Sequence, residues 1–231
     1  MANNLLIFFG QLRTFEYVIP QLKRIDEVDV VISTWSENNI NDKKTLVDED
    51  LIRNTIPNIK QIHISNQSNI KIDFLTKHGF NFNMMLYHWK TSINNIENIN
   101  QYDKIIIHRC DLYSDWDRIL DLDIQDDTIY LHHTNFPYCT TDKYPNAVWC
   151  NDYFFFGKPS IIKKYINCFD RDDYVDPHLD IYKTLYDNNI KYERYVLYGK
   201  LIRDITDNPT LAPLIGPNEK VPQNKIFKRP L

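Results

Sequence analysis

The stretch YDKIIIHRCDLYSDWD, residues 102–117, passes from an apolar run into a burst of charge. Ile105, Ile106 and Ile107 are consecutive, so a strand over 104–109 has no polar face. Both of its sides need cover, which is the condition of a mostly parallel sheet between layers of helices. The strand runs out at Arg109, Cys110 and Asp111. Side chains at i and i+2 of a strand share a side, so Arg109 and Asp111 can face one ligand together.

The flanking chain repeats this reading. Short β-rich runs are expected at NLLIFF (4–9), DVVISTW (29–35), KQIHIS (60–65), TIYLHH (128–133) and DYFFFG (152–157). Helices are expected over 14–24, 48–54, 82–97, 116–121, 159–167 and 178–188, with a return strand in DNNIKYERYVLY after them. This alternation predicts an α/β fold with a mostly parallel central sheet flanked by helices. Residues 134–151, with two prolines, read as a long loop, and loops of that length in compact domains are commonly functional. Prolines at 209, 213, 217 and 222 mark a change of composition. Residues 1–205 are therefore expected to form a single domain, with 206–231 as a Pro-rich tail packing on or near it.

Composition excludes several functions. With 27 Lys and Arg against 31 Asp and Glu, the net charge is −4 and no segment is persistently basic, which argues against a nucleic acid polymer as partner. Only five glycines occur and none cluster, so neither a dinucleotide fingerprint after the first strand nor a P-loop is present. The four cysteines show no metal or redox spacing and read as free thiols in a reducing compartment. The apolar run LLIFF is too short for a signal-peptide core or a transmembrane segment, so a soluble cytoplasmic protein is expected.

In open α/β sheets, ligands sit beyond the carboxyl ends of the strands. After the first strand, GQLRTFE supplies a turn at Gly10, then Gln11, and Arg13 beside the free N–H groups of a helix start, a place suited to phosphate. A plain glycine turn with Thr14 as cap is the competing reading. The second strand ends in Thr34 and Trp35, where a base can stack, although a core tryptophan would look the same. Lys90 is a candidate on the 82–97 helix, whose His88 reads as a structural histidine. Asp111 can hold a hard divalent cation that bridges phosphate oxygens, or Arg109 and Asp111 can simply satisfy each other. The literal Asp115-Trp116-Asp117 reads as a helix cap with a first-turn acid. Asn151 and Asp152 stand at a loop mouth, Asp152 as a potential general base. His178, a possible metal ligand, and Asp180, a second acid, open a helix after Pro177. Their competing roles are an Asx turn and a helix cap.

Taken in order, GQLRTFE, DVVISTW, YDKIIIHRCDL, NDYFFFGKP and DPHLDIYKTLYDNNI resemble a class of small GT-A glycosyltransferases found in capsule and lipopolysaccharide clusters and in large DNA viruses, with Arg-x-Asp in place of Asp-x-Asp. The pattern spans roughly residues 4–192. The resemblance implies a single Rossmann-like GT-A domain, a nucleoside-diphosphate-sugar donor and a glycan acceptor. It places Gly10 and Arg13 in the nucleotide loop, Asp111 at the metal-binding position, and Asn151 and Asp152 at the sugar or acceptor. Mn or Mg is the implied cofactor, and Arg109 in place of the first carboxylate puts that dependence in question. A degenerate member that binds nucleotide or glycan without turnover is the alternative.

Overall fold

The computed structural model describes residues 3–12, 14–40, 43–70, 77–137, 143–144, 148–170, 174–195 and 199–201. Its centre is a seven-stranded sheet. The strands are β1 (Asn4–Phe9), β2 (Asp29–Trp35), β5 (Ile59–Ser65), β6 (Lys104–Arg109), β8 (Thr128–Pro137), β9 (Val148–Gly157) and β10 (Lys191–Tyr195), in the order β10-β8-β9-β6-β1-β2-β5. β1 pairs parallel with β2 and β6, β2 with β5, and β8 with β10; β9 runs against its neighbours β6 and β8. Two small antiparallel pairs lie outside this sheet: β3 (Glu37–Ile40) with β4 (Lys43–Leu46), and β7 (Leu112–Ser114) with β11 (Gly199–Leu201).

The unbroken apolar strands are explained by two cores. Leu5, Ile7 and Phe9 of β1 point to one side, where α3 (Lys77–Asn95), α4 (Pro159–Asn167) and α5 (Pro177–Asp187) pack. Leu6 and Phe8 point to the other, against α1 (Phe15–Val18), α2 (Glu49–Thr55) and the segment around Trp116. Each face of the sheet buries its own half of the alternation.

Several elements differ from the sequence reading. The helix expected over 14–24 is a single turn, α1, followed by a 3-10 turn at Ile19–Gln21. Pro20 has no N–H to continue an α-helical ladder, and Thr14 makes no side-chain cap. The helix expected at 116–121 is a 3-10 turn, Trp116–Ile119. Its carbonyl end is held by the buried Lys104 ammonium, which donates to the carbonyls of Ile119, Leu120 (3.3 Å) and Leu122 (2.9 Å). Burial pulls the Lys104 pKa down to about 8. The expected 134–151 loop is in part strand, because β8 continues to Pro137 and β9 begins at Val148, paired through His133 with Cys150 and Pro137 with Val148. The tail expected at 206–231 lies outside the described residues. Cys110, Cys150 and Cys168 are free thiols.

Candidate functional site

At the carboxyl edge of β1, β2 and β6 the chain leaves an open cleft of about 530 Å³. Residues just past β1 form its floor. Phe9 lies beside Arg109 in the β1–β6 register, and Gly10 turns the chain away at φ +101°. That conformation is one side chains rarely adopt, so glycine is required here by the backbone. Gln11 follows in the cleft wall, and its buried Oε1 has no hydrogen-bond partner.

Arg109 and Asp111 form a two-pronged pair, with Nε donating to Oδ1 at 2.9 Å and Nη2 to Oδ2 at 2.8 Å. Asp111 is 4% exposed at its side chain and Arg109 19%. Burial alone would lower the Arg109 pKa, but the charge and hydrogen bonds of Asp111 outweigh it and the guanidinium is held above its ordinary value. The guanidinium also lies 4.8 Å from the centre of the Tyr153 ring. Arg109 and Tyr153 line the cleft, whereas Asp111 lies behind the arginine. The fork uses two of the five guanidinium N–H groups, so Asp111 aims the cation at the cleft while holding its charge.

Asp152 comes from β9. His108 pairs with Phe154, so two residues further the antiparallel register brings Asp152 level with Cys110, just past Arg109. It is 5% exposed, and its Oδ1 has no partner. Burial raises its pKa, opposed by the charges of His178 and Arg109. His178, in the first turn of α5, also faces the cleft; its Nδ1 lies 2.7 Å from the carbonyl oxygen of Cys150. A carbonyl only accepts, so Nδ1 carries the proton, and the bond ties the start of α5 to β9.

The second strand brings Trp35 to the cleft, stacked on Tyr87 at 5.6 Å and edge-on to His88 at 4.1 Å. His88 is a residue for which the sequence offered only a structural role. It lines the cleft, with Nδ1 2.8 Å from Ser33 Oγ and Nε2 buried without a partner. Burial, reinforced by His63, pushes its pKa down to about 3. Gln67, Asn81 and Tyr153 are further cleft residues that no sequence signal marked.

Other expected site residues fall elsewhere. Thr34 is buried on the sheet face opposite Ser33 and Trp35, among the α1 and α2 core. The Lys90 ammonium donates to the carbonyl of Phe169 and ties α3 to the end of α4. Asp180, expected as a catalytic acid, accepts from the N–H groups of Val175 (2.8 Å) and Asp176 (3.0 Å) and closes the start of α5, where Asp176 in turn caps His178 and Leu179. This is the reciprocal capping arrangement of a helix N-terminus. Asp115 pairs with Arg118 at 2.8 Å, away from the cleft. Arg13 lies outside the described residues, and of Asn151 only the backbone, in β9, is described.

Asp111 and His178 were expected to hold Mn or Mg. Both Asp111 oxygens are bound by Arg109, while the bond from His178 Nδ1–H to the Cys150 carbonyl orients the ring as it would in a ligating histidine and does not count against His178. Among the described residues no group of three or more His, Cys, Asp or Glu is placed to hold a metal ion. A hard cation wants several oxygen ligands, and the described donor set does not fit one. A second groove of about 440 Å³ lies between α1, the β3–β4 pair and α2; its described lining includes Glu16 and Asp48 and no basic side chain.

No protein-family model and no curated protein matches the chain. Among solved structures, an active-site mutant of LgtC aligns over 82% of this chain and 72% of its own, with a TM-score of 0.52 at 11% identity. The glycosyltransferase GlyE of Streptococcus pneumoniae TIGR4 aligns over 83% of this chain, with a TM-score of 0.46 at 8% identity. This chain spans 45% of the GlyE chain. A glycosyltransferase involved in the glycosylation of the major capsid of PBCV-1 aligns over 82% of this chain and 80% of its own, with a TM-score of 0.42 at 11% identity. The likeness to LgtC shows the fold: an α/β, Rossmann-like GT-A domain with a mostly parallel central sheet. Among the described residues, no helix is long and apolar enough to cross a membrane.

Proposed function

We propose that this chain is a glycosyltransferase that moves a sugar from a nucleoside-diphosphate donor to a hydroxyl of a glycan acceptor. The observation that carries this reading is the pairing, in one cleft of a GT-A fold, of a buried carboxylate with an unpartnered oxygen, Asp152, and a cation held by its own counter-ion, Arg109. A carboxylate kept from water with a raised pKa is a stronger base than a solvated one. The acceptor oxygen attacks the anomeric carbon and passes its proton to Asp152. The bond from that carbon to the phosphate oxygen breaks, and its electron pair leaves with the nucleoside diphosphate. Arg109 faces the charge that develops there, and Asp111 keeps the guanidinium from swinging away. His178 stands near Asp152 and favours its ionised form.

The motif resemblance to transferases of capsule and lipopolysaccharide clusters supports a surface glycan as the acceptor. The test is a panel of nucleotide sugars, following release of the nucleoside diphosphate with and without glycan acceptors, in Mn, in Mg and in chelator. Turnover of one donor supports the reading. Binding of a nucleoside diphosphate without turnover under any condition would make the chain a binding protein on a glycosyltransferase fold.

A further inference from the structure

Three buried polar atoms without partners belong to residues of this one cleft: Gln11 Oε1, Asp152 Oδ1 and His88 Nε2. An orphaned buried polar atom costs folding free energy, and such atoms gather where a ligand completes them. The mechanism above uses Asp152. It leaves His88, which is 1% exposed, without a task.

We propose that His88 reads the donor's nucleobase, hydrogen-bonding its edge through Nε2 where the base lies at the Trp35 end of the cleft. This rests on the donor reading above and extends it to base recognition. The sheet order supplies the geometry. From β9 through β6 and β1 to β2, the cleft passes from Asp152 to Arg109, then Gln11, then Trp35 and His88. Charge is concentrated at the β9–β6 end and aromatic surface at the β2 end. Two strand spacings, about 10 Å, separate the strand of Arg109 from that of Trp35, a span comparable to the reach from a base across its ribose to a diphosphate. With the phosphates at Arg109 and the sugar at Asp152, the base falls at Trp35.

The hydrogen bond to Ser33 holds the His88 ring in place, and either tautomer leaves Nε2 for the base. A neutral imidazole has one donor and one acceptor nitrogen. If Nδ1 donates to Ser33 Oγ, Nε2 accepts from the base; if Ser33 donates, Nε2–H donates to it. The ring stays neutral at physiological pH because it is buried and His63 stands nearby. A ring nitrogen at a desolvated position discriminates between bases, because an edge that offers it neither a donor nor an acceptor leaves it unpaired.

The test is calorimetric titration of wild type and His88→Phe with UDP, GDP, ADP, dTDP and inorganic pyrophosphate. The expected result is that wild type prefers one base. His88→Phe should weaken that ligand about tenfold, the equivalent of one buried hydrogen bond, level the ranking of the others and leave pyrophosphate unchanged. An unaltered ranking in His88→Phe overturns the role of His88 and spares the donor reading. Failure of wild type to bind any of the nucleotides overturns both. Should His88→Phe not fold, 15N-histidine NMR of the wild-type protein decides. A shift of the His88 Nε2 signal with the preferred nucleotide and not with pyrophosphate supports the proposal, and no shift refutes it.

Discussion

Replacing Asp152 by asparagine is expected to stop transfer and to stabilise the fold together. The carboxylate is 5% exposed with one oxygen unpaired, and burial raises its pKa against the pull of His178 and Arg109. A carboxyl group with a folded pKa above its unfolded value binds its proton more tightly in the native state. The stability it contributes is complete below the ordinary value of 3.8 and is lost as pH rises through the folded pKa. The amide has the shape of the protonated acid and never ionises. At about pH 7.5, D152N is therefore relieved of the desolvation of a buried charge, worth about 1–3 kcal/mol. For a chain of this size that raises Tm by about 2–4 °C per kcal/mol. The two proteins should melt nearly together below pH 3.8, where the wild-type group is protonated in the fold, and diverge as pH rises through the folded pKa. Loss of the general base should lower turnover about 10²- to 10⁴-fold. Thermal melts across this pH range, with initial rates of nucleoside diphosphate release, check both halves. A D152N protein that melts below wild type at neutral pH, or that keeps its turnover, would refute the assignment of this carboxylate.

Arg109→Ala strands Asp111, the more deeply buried partner, and should cost about 3–5 kcal/mol of stability, whereas Asp117→Asn, outside the cleft, should stay within about 0.5 kcal/mol in the same urea titrations. Nucleoside diphosphate affinity should be unchanged by chelator, since Arg109 occupies the Asp111 oxygens a cation would need; a large gain on adding Mn would show that residues other than those described complete a metal site. Asp180→Ala should destabilise by about 0.5–2 kcal/mol through loss of its bonds to Val175 and Asp176, measured by denaturation. Gly10→Ala should cost about 1–3 kcal/mol by backbone strain alone, since its added Cβ would meet nothing within 4 Å.

Much of the fold was legible along the chain because strand periodicity and two-sided burial are local properties. Asn4–Phe9, Asp29–Trp35 and Lys104–Arg109 are strands with the bounds read from their apolar runs, and Pro159–Asn167 is a helix with the bounds read from its 3.6-residue pattern. The carboxyl-edge rule then pointed to Gly10, Gln11, Trp35 and Arg109, and the reading of a loop mouth and of a helix start pointed to Asp152 and His178; the fold brings these residues to one cleft. What a polar side chain does there depends on partners remote in sequence. Asp180 and Asp152 are both acids near loop ends, yet one is taken up by the backbone of its own helix while the other is left unpaired by an antiparallel register that sequence periodicity does not encode. Lys90 points to Phe169 and His88 to the cleft from the same helix, because the helix's rotation is set by packing against the sheet. The sequence by itself thus determined the layers, most strands and the edge where a site must lie. Only tertiary structure decided which charges there are satisfied, since satisfaction of a buried polar atom is a property of its three-dimensional neighbours.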